Sequence, residues 1–323
     1  MLDVTVLAAL ERWQRDLAAD RTASTRRRYA GAVRQFLDWY ILHEHRPLLL
    51  HHLTPITLVG YRSVLQQTVK PSTVNTHVCA LRSWCTWLFE QHVLATNPAA
   101  RLKLVGRQEP RAPKALKDTE VNALLRAAAQ SRHAARNTAI VQILLQTGMR
   151  IGECAALQWA DVTFGEKHGE VLIRAGKGNK ARCVPLNASV RQALATYSAP
   201  ILEVAPTLKA VAAAWSRYAQ SNHPTALWQS QKGGALSVSA MERMIAGLVR
   251  DGATRQLLPA TTTAHTLRHT FATHYLAAHA NDLVGVATLL GHSSLNTTRI
   301  YVQPTAEQLA DRIEQIDLNA YAD

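Results

Sequence analysis

Residues 138–153 read TAIVQILLQTGMRIGE, and this stretch decides how the second half of the chain is interpreted. Its apolar run predicts a helix that ends at Gly148, because glycine accepts the left-handed backbone that terminates many helices. Arg150 follows at once, and Glu153 lies one turn further along the chain. An arginine after a glycine turn is usually a surface residue, so the stretch needs its neighbours before it indicates any chemistry.

A β-hairpin is predicted next along the chain. GEVLIR (residues 169–174) and ARCVPL (residues 181–186) resemble strands, and the Gly/Asn-rich turn AGKGNK joins them. This places Lys177 at the tip, where a lysine is by default a solvated loop residue. The turn is not a nucleotide-binding P-loop, because that motif requires GxxxxGK[ST] between a strand and a helix.

The segment HTLRH (residues 265–269) brings histidine and arginine together. His265 and Arg268 are three residues apart, which puts them on the same face of a helix. A metal site is the first rival interpretation, since His265, His269 and His274 are close in sequence. The HExxH pattern of zinc enzymes requires a glutamate after its first histidine, and Thr266 stands there instead.

The last of these segments is LLGHSSLNTTRIY, residues 289–301. Taken together and in order, the four segments closely resemble the catalytic signature of the tyrosine recombinase or phage integrase family, most nearly its bacterial Xer-like members. The resemblance extends over residues 20–310. It implies six catalytic residues, which are Arg150, Lys177, His265, Arg268, His292 and Tyr301. Glu153 matches the acidic residue that braces the site.

The chemistry of the family explains these residue types. Attack on a phosphodiester builds negative charge on the non-bridging oxygens, and the guanidinium groups of Arg150 and Arg268 can neutralise it, with a further hydrogen bond from His292. The resemblance implies that Lys177 protonates the leaving 5′ oxygen. Tyr301 would form a 3′-phosphotyrosine ester, which stores the bond energy, so that no ATP is required. The fixed arginine donors would take the place of a metal cofactor.

Two assignments stay open at this point. His265 is either a base near the attacking phenol or its hydrogen-bond partner. Tyr275 is the main competitor of Tyr301 as nucleophile, but it continues the helix that begins in HTLRH, where an aromatic side chain more often packs into the core. Tyr301 follows a break in the helical pattern, and we therefore favour it.

The first hundred residues predict a helical bundle. Tyr29, Val33, Phe36, Leu37 and Tyr40 form one apolar stripe at helical spacing. A second helix is predicted to begin at Thr54, with proline at its first position. Val74, Val78, Leu81, Cys85 and Leu88 mark a third helix, which must end before Asn97 because Pro98 follows.

The predicted organisation is a helical core-binding domain (residues 1–100), a basic linker (residues 101–117) and a catalytic domain (residues 118–323). The fold class is mainly α with a small β-sheet. The resemblance implies a SAM-like core-binding bundle and a mixed α/β DNA breaking-rejoining domain that together clamp duplex DNA. The linker is either a solvated tether or a strap that contacts phosphates.

The chain has 323 residues and a formal net charge of +13, which favours a polyanionic partner, nucleic acid ahead of an acidic membrane surface. Within the bundle, basic and hydroxyl side chains are candidates for contact with DNA as a class, and a solvated face is the alternative for each of them. These candidates are Arg26, Arg27, Arg28, Lys70, Ser72, Thr73, His77 and Arg82.

Targeting signals are absent from the sequence pattern. No run approaches the ~18 apolar residues of a membrane span, and the N-terminus carries acids where a signal peptide has bases. We expect a cytoplasmic, nucleoid-associated protein, or a nuclear one in another host. Its four cysteines have neither disulfide nor zinc spacing and are predicted to be reduced, small apolar residues.

Two segments go beyond the catalytic signature. Residues 306–323 are acidic, with Leu309, Ile313 and Ile316 on one stripe, which suits a protein partner. The family implies that this terminal helix docks on a neighbouring subunit of a tetramer assembled on paired DNA sites, and packing on its own domain is the alternative. Residues 200–225 are additional to compact Xer-like proteins and are either a surface elaboration or an interface.

The predicted function is site-specific DNA recombination or integration, with strand exchange through a Holliday junction and the participation of accessory proteins left open. The alternatives are a type IB topoisomerase-like enzyme that relaxes DNA and a non-cleaving DNA-binding regulator of the same fold. The terminal helix and the helical N-terminal domain favour recombination. A regulator would be expected to lose catalytic side chains, and none is missing from the sequence.

Overall fold

A computed structural model describes residues 4–21, 23–106, 115–174, 181–221, 225–231, 233–279 and 282–291. The chain divides into two compact units, Met1–Arg111 and Ala112–Asp323, which we refer to as the N-terminal unit and the C-terminal unit. Within these described ranges, no helix is both long enough and apolar enough to cross a bilayer.

The N-terminal unit is helical wherever it has regular structure. Its α-helices are α1 (Val4–Asp20), α2 (Ala23–Glu44), α3 (Pro55–Thr68) and α4 (Pro71–Glu90). The predicted cap is confirmed, because the Thr54 hydroxyl accepts a hydrogen bond from the Thr57 N–H at 3.2 Å and Pro55 opens α3. The predicted stripe of α2 is also confirmed, with Phe36, Leu37 and Tyr40 buried.

Large aromatic side chains fill the core of this unit. Trp13 of α1, Phe36 of α2 and Trp84 of α4 are all buried, and each such side chain removes a large apolar area from water. Trp87 of α4 donates from its indole N–H to the Asp16 carboxylate at 2.9 Å, which ties the last helix to the first.

The first residues of the predicted linker belong to the N-terminal unit. Leu102 is buried in its core, and Val105 is held by the side-chain amide of Asn75. The Asn75 carbonyl accepts from the Val105 N–H at 2.8 Å, and the Asn75 amide donates to the Val105 carbonyl at 3.0 Å. Near the other end of the predicted linker, Leu116 is buried in the C-terminal unit, and its backbone N–H donates to the Thr270 hydroxyl at 2.9 Å.

The C-terminal unit combines helices with one small sheet. Its α-helices are α5 (Asp118–Ala129), α6 (Ala134–Thr147), α7 (Ile151–Ala155), α8 (Ala188–Leu202), α9 (Leu208–Gln220), α10 (Val238–Thr254), α11 (Ala264–Ala278) and α12 (Leu283–Leu290). Its strands are β1 (Val162–Phe164), β2 (Gly169–Ile173) and β3 (Arg182–Pro185), which pair antiparallel in that order. The prediction of a mainly α chain with a small sheet is confirmed.

The predicted hairpin corresponds to β2 and β3, with Val171 opposite Val184 and Ile173 opposite Arg182. Strand β1 was not predicted, because three residues are too short to show an alternating pattern. The buried faces of these strands and the apolar face of α6 share one hydrophobic core. The tip of the hairpin, with Lys177, lies outside the described residues.

Part of the additional sequence at residues 200–225 forms helix α9, which packs on the sheet side of the core. Trp215 is buried and stacks on Phe164 of β1, with ring centroids 4.9 Å apart. Its indole N–H donates to the carbonyl of Trp159 at 3.3 Å. This helix is therefore a part of the core rather than only a surface elaboration.

The four cysteines all lie among the described residues and form no disulfide there, and the reduced state of their thiols stays a prediction. Cys85 and Cys154 are buried, and burial raises the pKa of the Cys85 thiol to about 12 and also raises that of Cys154. Cys183 of β3 differs from the expected apolar role, because its side chain is exposed.

Candidate functional site

A glycine turn places the first predicted catalytic arginine. Gly148 ends α6 in the left-handed conformation, with φ of 60°, and its N–H donates to the Leu144 carbonyl at 3.2 Å. A Cβ at this position would lie 2.7 Å from Leu290 and would also collide with Phe271. Glycine is therefore required both by the backbone conformation and by the close packing, and Arg150 follows as the N-cap residue of α7.

Glu153 holds Arg150 in place. Its carboxylate accepts the backbone N–H of Arg150 at 2.8 Å and the Arg150 Nη1 at 2.8 Å. The Glu153 side chain is only 8% exposed, whereas that of Arg150 is 43% exposed. Glu153 therefore contacts Arg150 directly, and this contact leaves the Arg150 guanidinium open to solvent on one side.

A second arginine, Arg182 of β3, contacts the same carboxylate. Its Nη2 donates to Oε2 of Glu153 at 2.8 Å, and its Nη1 donates to Oε1 at 3.2 Å. Burial of the Glu153 carboxyl favours its protonated form, but the hydrogen bonds from Arg182 and Arg150 outweigh burial and hold its pKa below the ordinary value. Glu153 is therefore charged at neutral pH and shared by two cations.

Arg268 connects the ends of two helices. It lies on α11 and is buried, and its Nη1 donates to the carbonyl of Gly148 at 2.7 Å. Its Nη2 donates to the carbonyl of Leu290, the last residue of α12, at 2.9 Å. Cations are stabilised at the carbonyl ends of helices, so these bonds orient the guanidinium as well as the two helices.

His265 lies in the first turn of α11, one turn before Arg268. Helix α11 is capped by Thr263, whose side chain accepts from the Thr266 N–H. Burial lowers the pKa of His265, and the positive charges of Arg268 and Arg150 lower it further. The imidazole is therefore neutral at physiological pH and can accept a hydrogen bond or a proton.

The other histidines of α11 have different surroundings. Burial, followed by the charge of His265, lowers the pKa of His269. His274 donates from Nε2 to the Leu116 carbonyl at 3.2 Å, and its Nδ1 lies 3.7 Å from Asp118. Among the residues that the structure describes, no three histidine, cysteine or acidic side chains are grouped closely enough to hold a metal ion.

Tyr275, the rival nucleophile, is occupied by a structural contact. Its hydroxyl donates to the Asp282 carboxylate at 2.7 Å, and this hydrogen bond, together with burial, raises the pKa of the phenol. A raised pKa makes a phenol a poorer nucleophile, because less of its phenolate is present. The choice of Tyr301 as nucleophile stays a prediction, because Tyr301 lies outside the described residues, as do His292 and residues 306–323.

Basic side chains of the N-terminal unit line a shallow cleft of about 460 Å³ between α2 and α4. Arg27, Arg28 and Thr73 contribute to its walls, and Arg28 donates to the Thr76 hydroxyl at 3.3 Å. Lys70, Ser72 and Arg82 are exposed on α4 or at its start, and Arg26 is half-buried on α2.

His77 differs from the other DNA-contact candidates. It is buried, and its Nδ1 lies 2.9 Å from the Tyr61 hydroxyl in a hydrogen bond. Burial also lowers its pKa. The structure therefore gives His77 an internal bond, and the neighbouring Thr73 and Arg82 are better exposed for contact with a ligand.

The sequence that builds this site matches a known protein family. Residues 114–308, more than half of the chain, match the model of the phage integrase family. The chain belongs to the phage integrase family. It is 33% identical over 313 residues to tyrosine recombinase XerC of Rhodospirillum centenum. This alignment covers 93% of this chain and 84% of the relative. It is 32% identical over 239 residues to XerC of Bacillus subtilis, which covers 73% and 72%.

Solved structures of integrase-family proteins share the fold. XerH recombinase bound to a palindromic difH substrate aligns with a TM-score of 0.69 and 24% identity, over 90% of this chain and 79% of that one. A lambda integrase dimer bound to a COC′ core site aligns with a TM-score of 0.65 and 17% identity, over 90% and 96%. The predicted family and its tyrosine recombinase class are confirmed.

Sequence reasoning missed one member of this integrase-family site, Arg182. Its signal was present, since Arg182, Val184 and Leu186 alternate along the chain and therefore point to the same face of the strand. Val184 and Leu186 are buried. An arginine in line with them needs a buried partner, and that partner is Glu153.

Proposed function

We propose that this chain is a site-specific tyrosine recombinase that cleaves and rejoins DNA through a 3′-phosphotyrosine intermediate. The observation that carries the proposal is the grouping of a neutral His265 with Arg268 and with Arg150, whose guanidinium Glu153 holds. The positive charges of both arginines act on His265, and the fixed hydrogen bonds of Glu153, Gly148 and Leu290 orient them.

The two arginines neutralise the charge that develops on the scissile phosphate. Arg150 is exposed on one side, and Arg268 is held by two carbonyls, so neither group must reorganise when the phosphate enters. One preorganised donor of this kind typically accelerates the reaction ~10²- to 10³-fold. The charge compensation comes from guanidinium groups, so the proposed reaction uses neither a metal ion nor ATP.

Tyr301 attacks the phosphorus and displaces the 5′ oxygen of the broken strand. The neutral imidazole of His265 accepts the phenolic proton or a hydrogen bond from the phenol, in agreement with its lowered pKa. Lys177 protonates the leaving oxygen, and His292 donates a hydrogen bond to the phosphate. The 5′ hydroxyl of a second duplex then attacks the phosphotyrosine, restores a phosphodiester and releases Tyr301.

DNA is the proposed substrate for the whole chain. The formal charge of +13 and the cleft lined by Arg27 and Arg28 support phosphate contact by the N-terminal unit. The solved relatives XerH and lambda integrase are bound to their DNA sites. Strand exchange through a Holliday junction would require four copies on two sites, with residues 306–323 exchanged between neighbours.

The decisive experiment recovers the covalent complex. Sheared genomic DNA of the source cell is incubated with the purified chain, denatured, and the protein-linked fragments are sequenced. We expect a discrete site with protein on the 3′ phosphate. Tyr301→Phe should bind the same site without forming the complex, whereas the matched control Tyr275→Phe should form it. A covalent complex that persists in Tyr301→Phe would refute the proposed nucleophile.

Two duplexes that carry the recovered site separate recombination from its alternatives. A recombinase yields products that join one duplex to the other, because the second 5′ hydroxyl comes from a different molecule. A topoisomerase-like enzyme would relax supercoils and reseal only the original strand. A regulator would bind the site and form no covalent complex.

A further inference from the structure

We propose that Arg182 is a positioning residue of the cleavage site, which keeps Arg150 available for the phosphate by sharing the charge of Glu153. The inference rests on the proposed function and extends it to the first residue of β3. The guanidinium of Arg182 is directed to Glu153 and to the last turn of α12, and its side chain is 9% exposed. Its effect on the reaction would therefore pass through Glu153 and through helix α12.

The guanidinium of Arg182 makes three directed hydrogen bonds. Two of them form a fork on the Glu153 carboxylate, at 2.8 and 3.2 Å. The third runs from Nε to the carbonyl of Leu289, in the last turn of α12, at 2.8 Å. Only the planar fork of arginine can satisfy a carboxylate and a carbonyl at once in this manner.

The charge balance depends on this contact. Glu153 carries one negative charge between two guanidinium groups, so the cluster of Glu153, Arg150 and Arg182 keeps one net positive charge near the phosphate position. Without Arg182, Arg150 and Glu153 would form a neutral pair. The carboxylate would then compete with the phosphate for the same guanidinium, and the attraction on the phosphate would weaken.

The residue that follows α12, Gly291, leaves room for the guanidinium of Arg182. Gly291 follows the helix with φ of 66°, and a Cβ there would lie 2.8 Å from Nη1 of Arg182. A side chain at residue 291 would therefore displace the guanidinium from Glu153. His292 and Tyr301 follow Gly291 along the chain. By bonding the Leu289 carbonyl, Arg182 therefore also fixes the end of α12, the last element before the segment that carries the predicted nucleophile.

The test uses purified full-length chain and the duplex recovered by the covalent selection. Two quantities are measured for each variant, the dissociation constant for that duplex and the first-order rate of covalent complex formation at saturating DNA. The variants are Arg182→Gln, Arg182→Lys and the double variant Arg182→Gln/Glu153→Gln. Arg191→Gln is the matched control. Arg191 also donates to a backbone carbonyl, that of Leu186 at 2.8 Å, but it contacts neither Glu153 nor α12 through this bond.

For Arg182→Gln we expect the saturated rate to fall ~100-fold while the dissociation constant changes less than about threefold, since the lost interaction acts at the transition state. Arg182→Lys keeps the positive charge but loses the two parallel N–H donors of the guanidinium, and its saturated rate should fall about tenfold. The double variant should recover about tenfold relative to Arg182→Gln, because the competing carboxylate is gone while the new side-chain amide oxygen at position 153 still accepts from the Arg150 N–H. Arg191→Gln should match the wild type.

Glu153→Gln also removes the buried carboxylate that Arg182→Gln leaves with one partner fewer, so the rate is interpreted together with the stability of each variant. Circular dichroism and urea unfolding at the assay temperature must show that every variant is fully folded, so that a change in the saturated rate reports positioning and not instability. The inference is overturned if Arg182→Gln cleaves at the wild-type rate, if only its DNA affinity changes, or if the double variant is no faster than Arg182→Gln. If the wild type itself forms no covalent complex, the proposed function fails and the inference fails with it.

Discussion

Arg268 donates a 2.7 Å hydrogen bond to the carbonyl oxygen of Gly148, although 120 residues separate them along the chain. The bond brings the helix of HTLRH to the glycine turn that precedes Arg150. The turn at Gly148 therefore positions two predicted catalytic arginines, Arg268 through the Gly148 carbonyl and Arg150 through its place two residues further along the chain. The geometry of the turn at Gly148 should therefore control both stability and cleavage.

Gly148→Ala tests that turn. A Cβ there meets Leu290 at 2.7 Å, and the left-handed φ of 60° is strained for alanine. We expect the free energy of unfolding to fall by about 2–4 kcal/mol, from backbone strain and overpacking. Gly152→Ala is the control, because a Cβ meets nothing within 4 Å in α7 and should stabilise that helix by about 0.5–1 kcal/mol. Equal unfolding curves for Gly148→Ala and the wild type would contradict the packing described.

The pH dependence of cleavage tests His265. Burial, then Arg268 and Arg150, lower its pKa below the ordinary 6.5, so the neutral form persists as the pH falls to 6.5 and is lost only below that value. The rate of covalent complex formation should therefore stay flat from pH 8 to 6.5 and decline at lower pH. His265→Asn should be slower and lose this acidic decline, whereas His168→Asn, at an exposed histidine, should keep it. A decline that begins above pH 6.5 would speak against the role of neutral His265.

Asn75→Ala tests the attachment of the chain after α4. The variant loses both side-chain hydrogen bonds to Val105, so the Val105 N–H and carbonyl lose these bonds in a part-buried position. We expect the free energy of unfolding to fall by about 2 kcal/mol and limited proteolysis to cut sooner near residues 101–106. Asn122→Ala, at an exposed position of α5, should change neither quantity. Unchanged protease resistance in Asn75→Ala would mean that other contacts hold this segment.

Trp215→Ala tests whether the additional helix α9 is part of the core. Removing this buried indole leaves a cavity beside Phe164 and takes away one of the two hydrogen bonds to the Trp159 carbonyl, the other being donated by the Val162 N–H. Loss of about 3–5 kcal/mol in the free energy of unfolding is expected for such a truncation. Lys209→Ala, on the exposed side of the same helix, should be within about 0.5 kcal/mol of the wild type. A similarly small loss for Trp215→Ala would restore the interpretation of α9 as a surface elaboration.

Local patterns predicted most of the secondary structure. The stripe of Phe36, Leu37 and Tyr40, the cap at Thr54 and the stop at Gly148 depend on neighbours in sequence, and the structure has each of them. His77 lies three residues after Val74 on the same face of α4, so its spacing indicates a buried side chain, which the structure has. Its role as a DNA contact, which rests on residue type, stays a prediction.

Long-range contacts could not be predicted in the same way. Nothing in the sequence around Arg268 indicates that it bonds the carbonyls of Gly148 and Leu290, because backbone carbonyls have no residue identity. The sequence did indicate that Glu153 braces Arg150, through the family signature. The second partner of Glu153, Arg182, depends on the packing of β3 against α12, which only the tertiary structure provides.

The exposed thiol of Cys183 offers a spectroscopic handle on the cleavage site once Cys79, the half-buried cysteine, is replaced by serine. Its neighbour Arg182 points inward to Glu153, while Cys85 and Cys154 are buried and have raised pKa values that slow their alkylation. A maleimide fluorophore should therefore react faster at Cys183 than at either buried cysteine. Its emission would then follow the surroundings of β3 in real time as a duplex binds to the otherwise native chain.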